Sequence, residues 1–93
     1  MVVGVVEVKV HLHGLNSLKG KRRVIKSAIE RMRGKFNVSV SEVDQQDNKL
    51  GAIIGISMVS NDSRYLNSQI DKIISFMRKD GRFIVGQIER DIF

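Results

Sequence analysis

The stretch Ser17 to Lys35, SLKGKRRVIKSAIERMRGK, decides the fold. Leu18, Ile25, Ile29 and Met32 recur in it at helical spacing, flanked by Val24 and Ala28. At about 100° per residue they make one broad apolar stripe. Lys19, Arg23, Lys26 and Arg33 fall on the opposite side, with Glu30 among them. Ser17 suits the N-cap, where its hydroxyl can accept from a free backbone N–H, and Gly34 suits a C-terminal stop. Gly20 weakens the first turn. By period Lys21 lies on the apolar side and Arg22 at its edge. Both are expected at the rim of the core, snorkelling outwards along their stems.

The stretch holds eight basic residues (Lys19, Lys21, Arg22, Arg23, Lys26, Arg31, Arg33, Lys35) and one acid. The whole chain is +6, and residues 36–93 hold seven basic and eight acidic side chains. The charge is therefore a property of one helix. Cations in a first turn oppose the helix dipole, at a cost of a few tenths of a kcal/mol each. The same arrangement suits a phosphate or other anion, because free N–H groups and cations converge there. The plainer alternative is a solvated face that keeps the protein soluble.

Ninety-three residues make one domain, 1–93, large enough for a modest core. There is no cysteine, so disulfides, thiol nucleophiles and cysteine metal sites are excluded. That fits a reducing, cytoplasmic setting. The N-terminal MVVGVVEVKV has no charged region ahead of its apolar run and alternates early, which reads as a strand and not a signal peptide. No apolar run approaches the roughly 20 residues of a membrane span. A pI near 10.1 points to a polyanionic partner, nucleic acid before an anionic membrane surface.

In chain order, Val2 to Leu12 alternates as a first strand, with Val6, Val8, Val10 and Leu12 facing a core. His13 to Asn16 is a turn into the helix. Phe36 to Gln45 is a second strand whose phase slips, because Val43 follows Val40 by three. We expect a β-bulge near Ser41-Glu42. Gln46 to Lys49 is a hairpin loop, and Leu50 to Ser60 a nearly all-apolar central strand. Asn61 or Asp62 caps a second helix with the stripe Leu66, Ile70, Ile73, Ile74 and Met77, ended by Gly81. Arg82 to Phe93 is a fourth strand, with Ile84, Ile88 and Ile92 on one side and Val85, Gln87 and Glu89 on the other. The order βαββαβ with right-handed crossovers gives a ferredoxin-like α+β fold: a four-stranded antiparallel sheet, order 4-1-3-2, with both helices on one face. Lys19, Lys21, Arg22, Lys49, Lys79 and Arg82 should then meet at one end, near Asp44, Asp47 and Asp80.

Catalytic and metal constellations are poor. His11 and His13 share a strand face without an evident third ligand or nucleophile, and are expected as rim histidines. Asp44 and Asp47 are expected to shape the hairpin. The outer face of the central strands offers Glu7, Lys9, His11, Gly55 and Ser57. It has no aromatic on which RNA bases would stack, as they do in an RNA-recognition motif. HGLNSLKGKRR is a loose echo of an acylphosphatase anion loop. Val3, Val5, Ile53, Val59, Phe83 and Val85 are expected on the outer face, either scattered or as a homodimer surface.

The run Asn16 to Asp47 and the block GISMVSND, Gly55 to Asp62, resemble the YlxP-like family, small bacterial proteins grouped as domain of unknown function 503. The likeness covers nearly the whole chain, and its blocks SLK-x-KR and FNVSV-x-EVD-x-QD are specific. It implies a ferredoxin-like fold. It also implies a link to ribosome maturation or translation, because genes of the family often lie beside those for ribosome-binding factor A and a translation initiation factor. It supplies no catalytic residues. The resulting expectation is a non-enzymatic RNA- or ribosome-associated protein without cofactor or metal. Lys19, Arg23, Lys26 and Arg33 would contact phosphates, with Lys21 and Arg22 holding one at the helix N-terminus. The alternative is a homodimeric small-anion-binding or regulatory domain, and an enzyme ranks last.

Overall fold

The computed structural model describes residues 1–13 and 17–93. The elements run β1 (Val2–Leu12), α1 (Leu18–Lys35), β2 (Ser39–Asp44), β3 (Gly51–Ser60), α2 (Ser63–Arg78) and β4 (Phe83–Ile92). The strands form one antiparallel sheet in the order β2-β3-β1-β4, the expected order counted from the other edge. The expected turn into α1 lies, beyond His13, outside the described residues.

Alternation makes one sheet face apolar. Val6, Val8, Val10 and Leu12 of β1 join Ile54, Ile56 and Met58 of β3 and Val40 of β2 in one buried cluster. Ile25, Ala28 and Met32 of α1 and Leu66, Ile70, Ile73 and Met77 of α2 close it from the helical side. Both helices begin as the capping residues require. Gly20 N donates to Ser17 Oγ at 3.0 Å, and Arg64 N to Asp62 Oδ1 at 2.9 Å. Gly34 does not stop α1. The helix runs to Lys35, and the N–H of Phe36 donates to Met32 O at 2.8 Å. Phe36 then packs half-buried against the core, so β2 starts only at Ser39. α2 ends at Arg78, ahead of Gly81, with Lys79 as its C-cap.

Two bulges set which side chains face out. In β2 the register passes from Glu42↔Ile54 to Asp44↔Ile53, so Val43 is the extra residue. The slip expected near Ser41-Glu42 falls one residue later. Ahead of it Glu42 keeps the parity of Val40 and faces the helical side; past it Asp44 joins Val43 on the outer face, where Gly55 makes room: a Cβ there would stand 2.7 Å from Val43 Cγ1. The second bulge was not expected. Between β1 and β4 the register passes from Val8↔Ile88 to Val10↔Val85, so Gly86 and Gln87 together oppose Lys9. This overturns part of the reading of β4. Phe83 is buried, Val85 packs on the core, and Ile84 beside His11 is 61% exposed on the outer face.

Gly4 marks the closest approach of β1 to α2. A Cβ there would lie 2.6 Å from Leu66 Cδ2 and 3.4 Å from Ile70 Cδ1, both buried side chains. Gly4→Ala should therefore overpack this contact and lower unfolding stability by about 1–2 kcal/mol, read by urea denaturation.

Candidate phosphate-binding face

The basic residues of α1 divide by their angle around the helix. Lys19, Arg22, Arg23, Lys26 and Arg33 lie on its solvent side and the flank towards β2, all exposed. Arg31 and Lys35 lie on the flank towards α2. Among the described residues, Lys19, Arg23 and Lys26 have no acidic side chain within salt-bridge reach. Arg22 reaches Asp47 only at 4.0 Å, with both side chains largely in water, so the pair holds neither firmly. Arg33 Nη2 donates to Val40 O at 2.8 Å, which fixes its guanidinium beside the sheet edge with other N–H groups to spare. A shallow groove of about 280 Å³ between α1 and β2 is lined by Arg22, Lys26, Glu30, Arg33 and Ser41. This is a row of cations along a helix, suited to successive phosphates of a backbone and not to enclosing a small molecule.

Lys21 departs from expectation. It does not snorkel outwards; it is 0% exposed. Its Nζ lies 2.9 Å from Glu42 Oε2 and donates to the carbonyls of Gln45 (2.5 Å) and Gln46 (3.3 Å). An ammonium has three N–H donors, and here three oxygens surround it. The inward turn follows from the alternation of β2, which carries the Glu42 carboxylate on the same side as Val40, beneath the first turn of α1. It follows also from Gln45, whose φ of 62° turns the hairpin so that two carbonyls face the same point. Lys21 is thus enclosed within the protein, out of reach of an external anion. The Ser17 hydroxyl already takes the Gly20 N–H. Of the pair expected to hold a phosphate at the helix N-terminus, only Arg22 remains exposed.

The other end-cluster residues sort into local pairs. Arg82 grips Asp80 through Nε at 2.9 Å and Nη2 at 2.7 Å, and its Nη1 reaches Ser27 Oγ at 3.1 Å. Arg31 stands 3.9 Å from the same carboxylate. The hydrogen bonds from Arg82 hold the Asp80 carboxyl below the usual carboxylate range, against a smaller opposing effect of burial. Asp44 Oδ1 accepts from Gln45 N at 2.7 Å and Asn48 Oδ1 from Leu50 N at 2.9 Å, so these side chains shape the hairpin. His11 packs over Gly86, where a Cβ would meet its Nε2 at 2.8 Å. Among the described residues no group of three or more His, Asp or Glu is placed to hold a metal ion. Among them, too, no helix is long and apolar enough to cross a membrane.

Both ion pairs, the buried Lys21–Glu42 and the partly buried Asp80–Arg82, are open to test by substitution. Lys21→Met should destabilise the fold by about 3 kcal/mol, because the Glu42 carboxylate and two carbonyls lose their donor inside the protein. Lys21→Met with Glu42→Met should recover part of the loss in a denaturant titration. Asp80→Asn should cost about 1–2 kcal/mol at pH 7. Its native carboxyl value is depressed, so its contribution is complete above about pH 4 and fades as the pH falls through that lowered value. The gap between wild type and Asp80→Asn should accordingly narrow in acid.

The profile of a family described as "Protein of unknown function (DUF503)" matches residues 3–90. The chain is also similar to "Uncharacterized protein YlxP" of Bacillus subtilis (strain 168), at 32% identity over 76 residues, covering 82% of this chain and 83% of the Bacillus protein. A match over nearly the whole length of the sheet and both helices places the chain in the DUF503 family, as a homologue of YlxP.

Proposed function

We propose that this protein is a non-enzymatic RNA-binding factor that docks on a ribosomal particle through the exposed ridge of α1. The observation that carries this reading is the ridge itself. Lys19, Arg23 and Lys26 stand exposed along one helix without an acidic partner among the described residues, and Arg33 is fixed beside them. A solvated face that served only solubility would do as well with mixed signs, as the outer face of α2 has. A row of cations with a single acid, Glu30, among them on a rigid helix repels itself and is relieved by a polyanion. The link to translation implied by the family resemblance points to ribosomal RNA as that polyanion.

The small-anion reading draws less support. It relied on Lys21, which is engaged within the protein, and on free N–H groups at the start of α1, one of which Ser17 takes.

Sedimentation of tagged protein from lysate through a sucrose gradient tests the proposal. Co-migration with a ribosomal subunit at low salt, abolished at moderately high salt, is expected. Reversing Arg23, Lys26 and Arg33 to Glu should abolish it at low salt too, and should flatten the salt dependence by about one power of salt concentration for each phosphate no longer neutralised. Migration as free protein at every salt concentration would overturn the reading.

A further inference from the structure

The flank of α1 that faces α2 carries a second set of groups which the ridge does not include. Two adjoining hollows, of about 240 and 340 Å³, lie between the C-terminal halves of the two helices. They share Lys35, Phe76 and Lys79. Arg31 adds to the first hollow, and Phe36 and Lys72 to the second. Phe36 and Phe76 meet edge to face, with ring centroids 5.7 Å apart and planes at 78°. Both are half-buried, so each keeps part of its ring at the surface. The ammonium of Lys35 stands 5.0 Å from the centre of the Phe76 ring and 6.0 Å from that of Phe36.

Charge makes this more than an edge of the core. Lys35, Lys72 and Lys79 converge on one pair of rings, and among the described residues none of the three has an acidic partner. The two acids at the margin are engaged elsewhere, Asp71 by Arg90 at 2.9 Å and Asp80 by Arg82 at 2.7 Å. Three cations gathered around an aromatic surface repel one another, and local cation–π attraction offsets this for Lys35 only. An occupant that brings both a flat π face and negative charge would satisfy every group in the groove. A nucleotide has that chemistry, and hollows of this size admit one or two. A paired duplex does not, since its base faces are already stacked.

The geometry points to this groove as a seat for an unpaired base of single-stranded RNA, stacked on Phe76, with Lys35, Lys72 and Lys79 on the neighbouring phosphates. The inference rests on the RNA-binding reading and deepens it: the ridge holds backbone, and the groove selects single strand over duplex. On entry of a base the Lys35 ammonium leaves the ring face and meets a phosphate instead. Stacking of this kind tolerates every base, so strand preference without sequence preference is expected.

The test uses a fluorescein-labelled single-stranded RNA of about 12 nucleotides and the duplex of the same length, titrated by anisotropy at fixed salt. Wild-type protein should bind the single strand several-fold more tightly. Phe76→Leu, which keeps an apolar side chain against the core, should weaken single-strand binding about tenfold, with duplex binding and the salt slope unchanged. Lys35→Gln with Lys72→Gln should weaken it and lower the slope. The ridge reversals should weaken both RNAs. Equal affinity of wild type for the two RNAs, or indifference to Phe76→Leu, would overturn the groove and leave the ridge standing. Binding of neither RNA would overturn both. Displacement of the single strand by polyglutamate of equal charge, at equal concentration, would assign the groove to any acidic chain and overturn base stacking. Should Phe76→Leu fail to fold, ultraviolet crosslinking of wild type decides. Adducts on Phe36 or Phe76 uphold the groove, and adducts confined to the ridge reject it.

Discussion

The buried ammonium of Lys21 joins the parts of this fold that local sequence leaves independent. Removing a charged amine from water costs several kcal/mol, and the cost is offset only where a counter-charge and enough acceptors are in place. Glu42 and the carbonyls of Gln45 and Gln46 supply them. The carboxylate comes from regular strand alternation and the carbonyls from a departure from it. Glu42 faces the helices because it alternates in phase with Val40, ahead of the slip at Val43. The carbonyls converge because Gln45, a residue with a Cβ, adopts the left-handed region at φ 62°. That conformation costs a non-glycine residue roughly 1 kcal/mol and persists where surrounding contacts determine it. Lys21 is such a contact. It ties the first turn of α1 to the end of the β2–β3 hairpin and so fixes the height and tilt of the helix over the sheet.

Much of this was legible in sequence. The alternation of β1 and β3 and the stripes of both helices give the element order, and the phase of Val40 and Val43 gives a bulge to within a residue. What escaped depends on contacts between distant segments. Gly86-Gln87 carries no phase break that a short strand with isoleucine at every fourth position would betray, so simple alternation puts Ile84 and Val85 on the wrong faces. Lys21 did carry a signal. It lies on the apolar side of its helix, and Glu42 keeps the same strand parity as Val40. Taken together, an inward lysine and an inward glutamate make a pair; taken singly, the long stem of lysine makes snorkelling the natural expectation. The groove drew no signal, because Lys35 and Phe36 meet Lys72, Phe76 and Lys79 only when both helices pack on the same face of the sheet.

The sheet gives the molecule a second electrostatic side. On its outer face Glu7 stands directly opposite Glu89, Asp91 lies beside Val5, and Asp44 borders Lys9 and Ile53. Like charges directly opposed across strands weaken pairing, so this arrangement is not there to stabilise the sheet. Its effect is on orientation. Cations on α1 and between the helices, and carboxylates on the far side of the sheet, make the two sides of the molecule electrostatically unlike. Approaching a polyanion, the chain would turn its helical side inwards before any contact forms.

The position of Lys21 also bears on what family resemblance means here. The two blocks that carry it, SLK-x-KR and FNVSV-x-EVD-x-QD, hold the two ends of the same interior contact, with Lys21 in the first and Glu42 and Gln46 in the second. Residues bound to each other inside a protein constrain shape. They set the platform on which a binding face is mounted, and they do so whatever that face binds. Arg23, Lys26 and Arg33 on the ridge, and Phe76 with Lys72 and Lys79 in the groove, lie outside both blocks, whereas Lys19 of the ridge and Phe36 of the groove lie within them. The chemistry of recognition has to be sought on the surface that Lys21 holds in place.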